Sequence, residues 1–276
     1  MPTPIQSLLV HLDGTARAGL RLALAHRFAA TCQARVSALF AVTPRHLPAL
    51  PLAGGVPATT ARGQIDLEHR LHAMGAFERA RAQSKQPCEW LELSGEPVIE
   101  AFARRALASD LMFLGQRDPD DASGFDVPAD FVESVLIGSG RPGLVIPCKG
   151  PATIAPTTVL LAWKPTRECA SALTAALPFL RGATQVHLIE EGRDETQSAP
   201  GQVLDYLRLH GVTRVHQQLR LPGRHAGEEL LSRAADCGAG MIVMGCYGHS
   251  RARELVLGGA TRTVLDSTTV PVLMAH

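Results

Sequence analysis

The sequence is poor in aromatic side chains and carries almost no excess of charge. Aromatic residues make up 4% of the 276 residues, and 27 lysines and arginines against 26 aspartates and glutamates leave a formal charge of +1. Scarce aromatics disfavour the stacking platforms that bind single-stranded nucleic acid. Balanced charge provides no overall attraction towards nucleic acid or an anionic membrane. We therefore expect neither of these partners, and any anion site must be local.

Several motifs are also missing. Residues 1–15 show no basic segment followed by an apolar one, as a signal peptide would, and no apolar run reaches the length of a membrane span. The six cysteines form no CxxC pair, so we expect reduced thiols in a cytoplasmic protein rather than a disulfide framework. No histidine or cysteine spacing predicts a metal site, and no serine lies in a G-x-S-x-G elbow. We assign no catalytic residue.

The two halves of the sequence repeat one pattern. SLLVHLDGTARAGLRLALAHRFAATCQARVSALFAV (7–42) indicates a buried strand, a turn, an amphipathic helix and a second strand, and residues 158–191 follow the same order. The repeat continues with a helix followed by a strand at 99–116 and again at 228–246, and each half ends in a strand introduced by proline. Short apolar runs that alternate with helices indicate parallel strands joined by crossover helices. Each half is therefore predicted as an α/β domain with a five-stranded parallel sheet between helices.

The repeat predicts a boundary near residue 150. The predicted domains are 1–150 and 151–276, both of ordinary domain size. The first half carries about 21 more residues between its second and fourth strands than the second half does. Residues 43–64, rich in proline, glycine and alanine, are the predicted insertion, and they lack helical or strand periodicity.

A glycine-rich passage from strand to helix, MIVMGCYGHSRARELVLGGATRTVL (241–265), is the main candidate site. Glycine lets a ligand approach the backbone closely, and amides at a helix start favour an anion. Histidine and arginine side chains between the glycines can add charge-assisted hydrogen bonds. The alternative is that the glycines serve only tight turns and close helix–strand packing. The predicted anion-binding residues of this passage are Gly245, Gly248, His249, Arg251, Gly258 and Gly259.

The passage resembles a family signature. Gly245 and Gly248, followed by nine residues and Gly258, are similar to the G-x2-G-x9-G-[ST] signature of the universal stress protein family. The late LGG-x-TR-x-VL helix and the closing strand VPVLMAH resemble that family too. The doubled pattern resembles its tandem-domain members.

The resemblance implies two flavodoxin-like domains, also described as adenine nucleotide alpha hydrolase-like. Many members bind ATP, with the glycine signature around the ribose and phosphates and an aspartate at the end of the first strand near the adenosine. Members commonly form dimers through the last strand, and tandem members can form an internal pseudo-dimer in that way. The implied role lies in stress survival, usually without a defined reaction.

Neither half matches the family's nucleotide site completely. In the second half, Gly259 replaces the expected serine or threonine, and Lys164 stands where the family has its aspartate. Lysine cannot accept a hydrogen bond from ribose or adenine, although it can pair with phosphate. In the first half Asp13 matches the aspartate, but the acidic sequence after Gly115 replaces the glycine signature. We expect nucleotide binding in the second half and not in the first.

These observations predict a stress-response or regulatory protein with a degenerate site for ATP, another adenine nucleotide or another anion in its C-terminal half. Two alternatives stay open: a ligand-free protein-interaction scaffold, and a slow nucleotide hydrolase that uses His249 and Arg251. A non-enzymatic role is favoured, because no general base or magnesium carboxylate stands near the glycines. An internal pseudo-dimer is expected, and association of two chains is left open. We expect His11 and Cys246 to be buried structural residues.

Overall fold

The computed structural model describes residues 5–43, 58–93, 97–191, 200–221, 226–246 and 259–276. The chain divides into two compact units, Met1–Ser139 and Gly140–His276. The strand that the sequence predicts as the last of the first half, Gly143–Ile146, lies in the second of these units. The domain limits 1–150 and 151–276 stay a prediction.

The first unit is a parallel sheet with helices between its strands. Its strand order is β3-β2-β1-β4. The central strand, β1, is an apolar run that is buried along almost its whole length, as expected for a parallel strand between two helical layers. The elements are β1 (Ser7–Leu12), α1 (Arg17–Cys32), β2 (Arg35–Phe40), α2 (Ala58–Gln83), β3 (Cys88–Glu92), α3 (Val98–Ala106), β4 (Leu111–Gly115), a 3₁₀ turn (Ala122–Gly124) and α4 (Phe131–Ser139).

The second unit contains six strands in the order β5-β10-β9-β6-β7-β8. All neighbouring pairs are parallel except β5 and β10, in which Val145 lies opposite Val272 in antiparallel register. The elements are β5 (Gly143–Ile146), β6 (Thr158–Trp163), α5 (Arg167–Gly182), β7 (Gln185–Glu191), α6 (Pro200–Leu209), β8 (Val215–Leu221), α7 (Ala226–Asp236), β9 (Met241–Gly245), α8 (Ala260–Ser267) and β10 (Val272–Ala275).

The strand order of each unit reverses at one place, between two neighbouring parallel strands. In the second unit the chain runs from β6 outwards to β8 on one side, whereas β9 and β10 lie on the other side of β6. In the first unit β1 and β4 are neighbours in the same way. Ligands of open α/β sheets bind beyond the carboxyl ends of the strands where the order reverses. These reversals therefore direct attention to the ends of β1 and β4, and of β6 and β9.

The predicted α/β class, with parallel strands and crossover helices, is confirmed. One detail of the sequence interpretation is wrong: residues 58–64 of the predicted insertion are the first turns of the helix α2. The rest of that insertion, from residue 44 to residue 57, lies outside the described residues. Among the helices that the structure describes, none is long and apolar enough to cross a membrane.

Candidate functional site

The carboxyl edge of the second unit brings together two residues of the predicted anion site. β6 and β9 are parallel neighbours, with Leu161 opposite Val243, so Lys164 just after β6 and Gly245 at the end of β9 lie at the same edge. Lys164 is half-buried. Its carbonyl oxygen accepts a hydrogen bond of 2.7 Å from the Thr166 N–H, which closes the turn into α5. The edge thus presents a lysine beside a glycine at the reversal of strand order.

Gly245 touches the first turn of α5. A Cβ at this position would lie 2.7 Å from the Cys169 amide nitrogen and 2.9 Å from both the Cys169 Sγ and the Glu168 carbonyl carbon. The helix start is fixed there, because the Thr166 side chain accepts a hydrogen bond of 3.3 Å from the Cys169 N–H. Close helix–strand packing is therefore one reason for glycine at the end of β9.

The helix α8 begins directly after Gly259, where the sequence predicts a helix start. Gly259 makes no side-chain capping bond, and no acidic side chain lies in the first turn of the helix. α7 approaches this start closely, because a Cβ on Gly227 would lie 2.7 Å from the Thr263 Cβ and 3.0 Å from the Ala260 carbonyl oxygen. Helix-start amides without a side-chain cap favour an anion.

The other residues of the predicted site, Gly248, His249, Arg251 and Gly258, lie outside the described residues. The assignment of these residues, and of Gly245, Gly259 and Lys164, to a binding site stays a prediction. Cys246 is fully buried, and its N–H donates to the Ala275 carbonyl at 2.9 Å. The His276 Nδ1 donates to the Cys246 carbonyl at 3.1 Å. The predicted burial of Cys246 is confirmed, and its structural role stays a prediction.

The corresponding edge of the first unit is filled by the chain's own side chains. Asp13, which follows β1, is 5% exposed. Its Oδ2 accepts a hydrogen bond of 2.8 Å from the Arg21 Nη2. Its Oδ1 accepts from the Thr15 N–H at 3.0 Å and from the Thr15 hydroxyl at 2.5 Å. The Asp13 carboxylate is thus hydrogen-bonded within the chain through both of its oxygens.

Arg21 lies against the end of β4. Its side chain is 2% exposed, and its Nε donates to the His11 carbonyl at 2.6 Å. A Cβ on Gly115 would clash with the Arg21 Nη1. The guanidinium therefore occupies the space above the glycine that corresponds to Gly245 of the second half.

His69 of α2 covers the turn after β1 in the same way. A Cβ on Gly14 would lie 2.5 Å from the His69 Cγ. The His69 Nδ1 is bonded to the Asp126 Oδ2 at 2.8 Å, and Asp126 is 4% exposed. Burial raises the pKa of Asp126 above its usual range, and the hydrogen bond from His69 acts against that rise.

Sequence reasoning did not find Arg21, His69 or Asp126. One signal was available for Arg21, because it lies on the apolar stripe of α1 that is formed by Ala18, Leu22 and Ala25. A charged residue on such a stripe needs a buried partner, and Asp13 is the nearest acidic residue before the helix, four positions ahead of its first residue. His69 and Asp126 are 57 residues apart in the chain, and no local pattern relates them.

His11, one residue before the end of β1, is buried and has a partner, as predicted. It is 1% exposed, and its Nε2 donates to the Ala41 carbonyl at 2.9 Å. Its ring lies 4.4 Å from the ring of Phe131 and 5.5 Å from that of Phe102, measured between centroids. Burial lowers the pKa of His11 from 6.5 to about 4, although the neighbouring Asp13 acts in the opposite direction. The imidazole is neutral at neutral pH.

The lowered pKa of His11 predicts a pH dependence of stability. Between pH 6.5 and about 4 the unfolded chain binds a proton at His11 that the folded chain does not bind. The free energy of unfolding therefore falls as the pH falls through this window, by up to about 1.4 kcal/mol per pH unit for this group. We expect His11→Gln, which keeps a donor for Ala41, to reduce that slope in urea denaturation. His72→Gln, at an exposed position of α2, should leave the slope unchanged. An equal slope for His11→Gln and the unaltered chain would contradict the prediction.

The acidic run after Gly115 is engaged in local turns. The Asp118 Oδ1 accepts from the Asp120 N–H at 3.0 Å, and the Asp121 Oδ1 accepts from the Ser123 N–H at 3.0 Å at the start of the 3₁₀ turn. Within the described ranges, no three histidine, cysteine, aspartate or glutamate side chains are grouped to hold a metal ion. The carboxylates add negative charge close in the chain to the edge that Arg21 fills.

Comparison with known proteins relates the second half of the chain to one family. Residues 158–276 match the family model of the universal stress proteins. The chain is also 28% identical over 172 residues to the universal stress protein Slr1230 of Synechocystis sp.. That alignment covers 59% of this chain, which spans only 57% of the length of the relative.

Two solved structures share the fold across nearly the whole chain. A universal stress protein from Archaeoglobus fulgidus has a TM-score of 0.70 at 16% identity, with 97% of this chain and 94% of that chain covered. A functionally unknown protein from Pseudomonas aeruginosa has a TM-score of 0.61 at 17% identity, with coverage of 98% and 92%. At these identities the likeness shows the fold. It supports the flavodoxin-like class that the sequence predicts.

Proposed function

We propose that this chain is a tandem-domain universal stress protein with a regulatory role in stress response. Its second half binds an adenine nucleotide, or another phosphate-bearing anion, at the carboxyl edge formed by β6, β9 and the start of α8. One observation carries the proposal: the family match falls on residues 158–276, the half in which Lys164 and Gly245 share the edge at the strand-order reversal. In the first unit, Arg21 and His69 fill the equivalent positions.

Lys164 determines which part of the ligand this edge contacts. An ammonium group only donates hydrogen bonds, so it cannot take the role of an aspartate that accepts from ribose or adenine. It can pair with a phosphate oxygen through a charge-assisted bond. Gly259, which replaces a hydroxyl residue of the signature, still provides its backbone N–H. The proposed pose therefore places phosphate, rather than the nucleoside, beside Lys164.

The first half of the chain contributes structure in this proposal. The antiparallel pair of β5 and β10, with Leu144 opposite Leu273, joins the strands that the sequence predicts as the last of each half. We propose that this pair is the contact of an internal pseudo-dimer.

The proposed pose predicts the effect of removing the Lys164 charge. We expect Lys164→Met to weaken ATP binding about tenfold in isothermal titration, because one charge-assisted hydrogen bond to phosphate is lost. Adenosine, which lacks phosphate, should bind the variant and the unaltered chain equally. Lys85→Met removes the same charge from an exposed position of the first unit and should change neither affinity. Tighter or unchanged ATP binding by Lys164→Met would refute the phosphate pose.

A wider experiment separates the proposal from its two rivals. Mass spectrometry of ligand released from undialysed protein should detect an adenine nucleotide that is lost in Gly248→Val, because a β-branched side chain would obstruct the glycine passage. Multiple turnover of ATP that His249→Ala abolishes would instead indicate a hydrolase. If neither a nucleotide nor inorganic phosphate binds at millimolar concentration, the interaction scaffold is the alternative that is left.

A further inference from the structure

We propose that the carboxyl edge of the first unit has become a cation-accepting site that the chain fills with its own Arg21, with the imidazole of His69 packed beside it. By its place in the fold this edge corresponds to a nucleotide site, but its groups now favour a cation instead of an anion. It is therefore closed to phosphate ligands. This inference concerns the first unit and does not depend on nucleotide binding in the second half.

The groups that face Arg21 at this edge are hydrogen-bond acceptors. The Asp13 carboxylate and the His11 carbonyl receive the Nη2 and Nε of Arg21 at 2.8 and 2.6 Å. Asp13 and Arg21 are both buried. Two acceptors in this arrangement fit the planar fork of a guanidinium group, which presents several donors in one plane. The same two acceptors would repel a phosphate oxygen.

The chain's own side chains also fill the space at this edge. The guanidinium of Arg21 covers Gly115, and the imidazole of His69 covers Gly14. Each side chain lies so close to the glycine that a Cβ on the glycine would clash with it. These two glycines follow β1 and end β4, the strands between which a ligand would lie in this fold. A ligand that approached the backbone at either glycine would have to displace one of these two side chains.

A second carboxylate gives the edge more acceptors than donors. Asp126 bonds His69 through its Oδ2, while its Oδ1 is buried without a hydrogen-bond partner in the structure. A buried acceptor that lacks a donor costs free energy, so the surroundings favour a donor and disfavour a further anion. Asp118, Asp120 and Asp121 follow Gly115 in the sequence and add to the negative charge. Each of these features disfavours phosphate and favours a positively charged donor.

A chemical rescue experiment tests the inference. Arg21→Ala should leave a cavity lined by the Asp13 carboxylate, and methylguanidinium chloride at millimolar concentration should recover a large part of the lost melting temperature by binding there. Sodium chloride at equal ionic strength should not. Arg27→Ala, at an exposed position of the same helix, should gain nothing from methylguanidinium. If Arg21→Ala does not fold alone, the readout is the yield of folded protein when it is refolded with methylguanidinium rather than with sodium chloride.

The variant Asp13→Ala, which removes the anion instead of the cation, should be stabilised by an anion. Asp13→Ala leaves the Arg21 guanidinium buried without its carboxylate, so sodium formate should raise the melting temperature of this variant and methylguanidinium should not. Inorganic phosphate should stabilise Arg21→Ala no more than it stabilises Arg27→Ala, so that any phosphate bound in the second half cancels in the comparison. The inference is overturned if methylguanidinium acts equally on Arg21→Ala and Arg27→Ala, or if phosphate stabilises Arg21→Ala selectively.

Discussion

Replacing Arg21 by methionine is expected to lower the free energy of unfolding by about 3–5 kcal/mol, because it leaves the buried Asp13 carboxylate without its ion-pair partner. The pair is joined at 2.8 Å, and both side chains are less than 10% exposed. Exposed pairs behave differently. Arg208→Met, which breaks a pair with Asp205 in which both side chains are more than 60% exposed, should change stability by less than about 1 kcal/mol. Urea denaturation at neutral pH measures both values.

The double variant Arg21→Met/Asp13→Leu separates the ion pair from packing. Replacing both charged partners by apolar ones removes the uncompensated charge, and such replacements of buried pairs are often neutral or stabilising. We therefore expect the double variant to be more stable than Arg21→Met alone. A loss for Arg21→Met no larger than that of Arg208→Met would show that the buried pair contributes little.

The contribution of the Arg21–Asp13 pair should disappear in acid. Burial by itself would raise the pKa of Asp13, but the charge of Arg21, then that of His11 and the hydrogen bonds from Thr15, outweigh it and hold the pKa below the ordinary value of 3.8. A carboxyl with a lowered folded pKa stabilises the folded state above its unfolded pKa, and this stabilisation is lost as the pH falls through the folded value. In Arg21→Met, burial without the guanidinium raises the pKa of Asp13, so the folded variant takes up a proton at a higher pH than the unaltered chain. The difference in stability between the unaltered chain and Arg21→Met should therefore be largest at neutral pH and shrink as the pH falls, beginning above pH 3.8.

Alanine at position 245 is expected to destabilise the chain by about 1–3 kcal/mol, the usual cost of overpacking a tightly packed position. The added methyl would lie 2.7 Å from the Cys169 amide nitrogen and 2.9 Å from the Glu168 carbonyl carbon. Both atoms belong to the backbone of α5 and cannot rotate away. Denaturant unfolding of Gly245→Ala measures this loss, and Gly182→Ala is the control. Gly182 is the last residue of α5, and a Cβ added there would have no neighbouring heavy atom within 4 Å.

This comparison also distinguishes two roles of Gly245. If the glycine serves helix–strand packing, Gly245→Ala loses stability, whereas Gly182→Ala loses none. If it serves only ligand approach, Gly245→Ala should unfold like the unaltered chain and lose ATP affinity alone. An unchanged unfolding midpoint for Gly245→Ala would therefore contradict the packing role.

The fold could be predicted from the sequence because its signals are local. Apolar runs such as LLV in β1 and MIVM in β9 mark buried parallel strands, and the intervening helices have the expected period. Their repetition in both halves indicated the order of elements. The start of α2 was missed, because residues 58–64 follow a segment rich in proline and glycine and have no apolar stripe of their own. A helix of that kind depends on packing by its later turns.

The candidate sites could be predicted only in part. Asp13, Lys164 and Gly245 were located correctly at strand ends, since a strand end is visible in the sequence as the end of an apolar run. What each of them touches was not visible. Arg21 reaches Asp13 from the next helix, and His69 reaches Gly14 from α2. These contacts depend on how helices lie across the sheet, which no spacing in the sequence records.

The position of β10 limits how two chains can associate. Its backbone is hydrogen-bonded to β9 on one side, where Leu273 lies opposite Val243, and to β5 on the other, where Leu273 lies opposite Leu144. Intermolecular strand addition needs a strand with unpaired N–H and C=O groups, and β10 offers none while β5 stays in place. Recruitment of a second copy through the C-terminal strand would therefore require β5 to detach first, in the manner of a domain swap. Otherwise a homodimer must form elsewhere, through an end strand such as β3 or β8 or through side chains on a different surface.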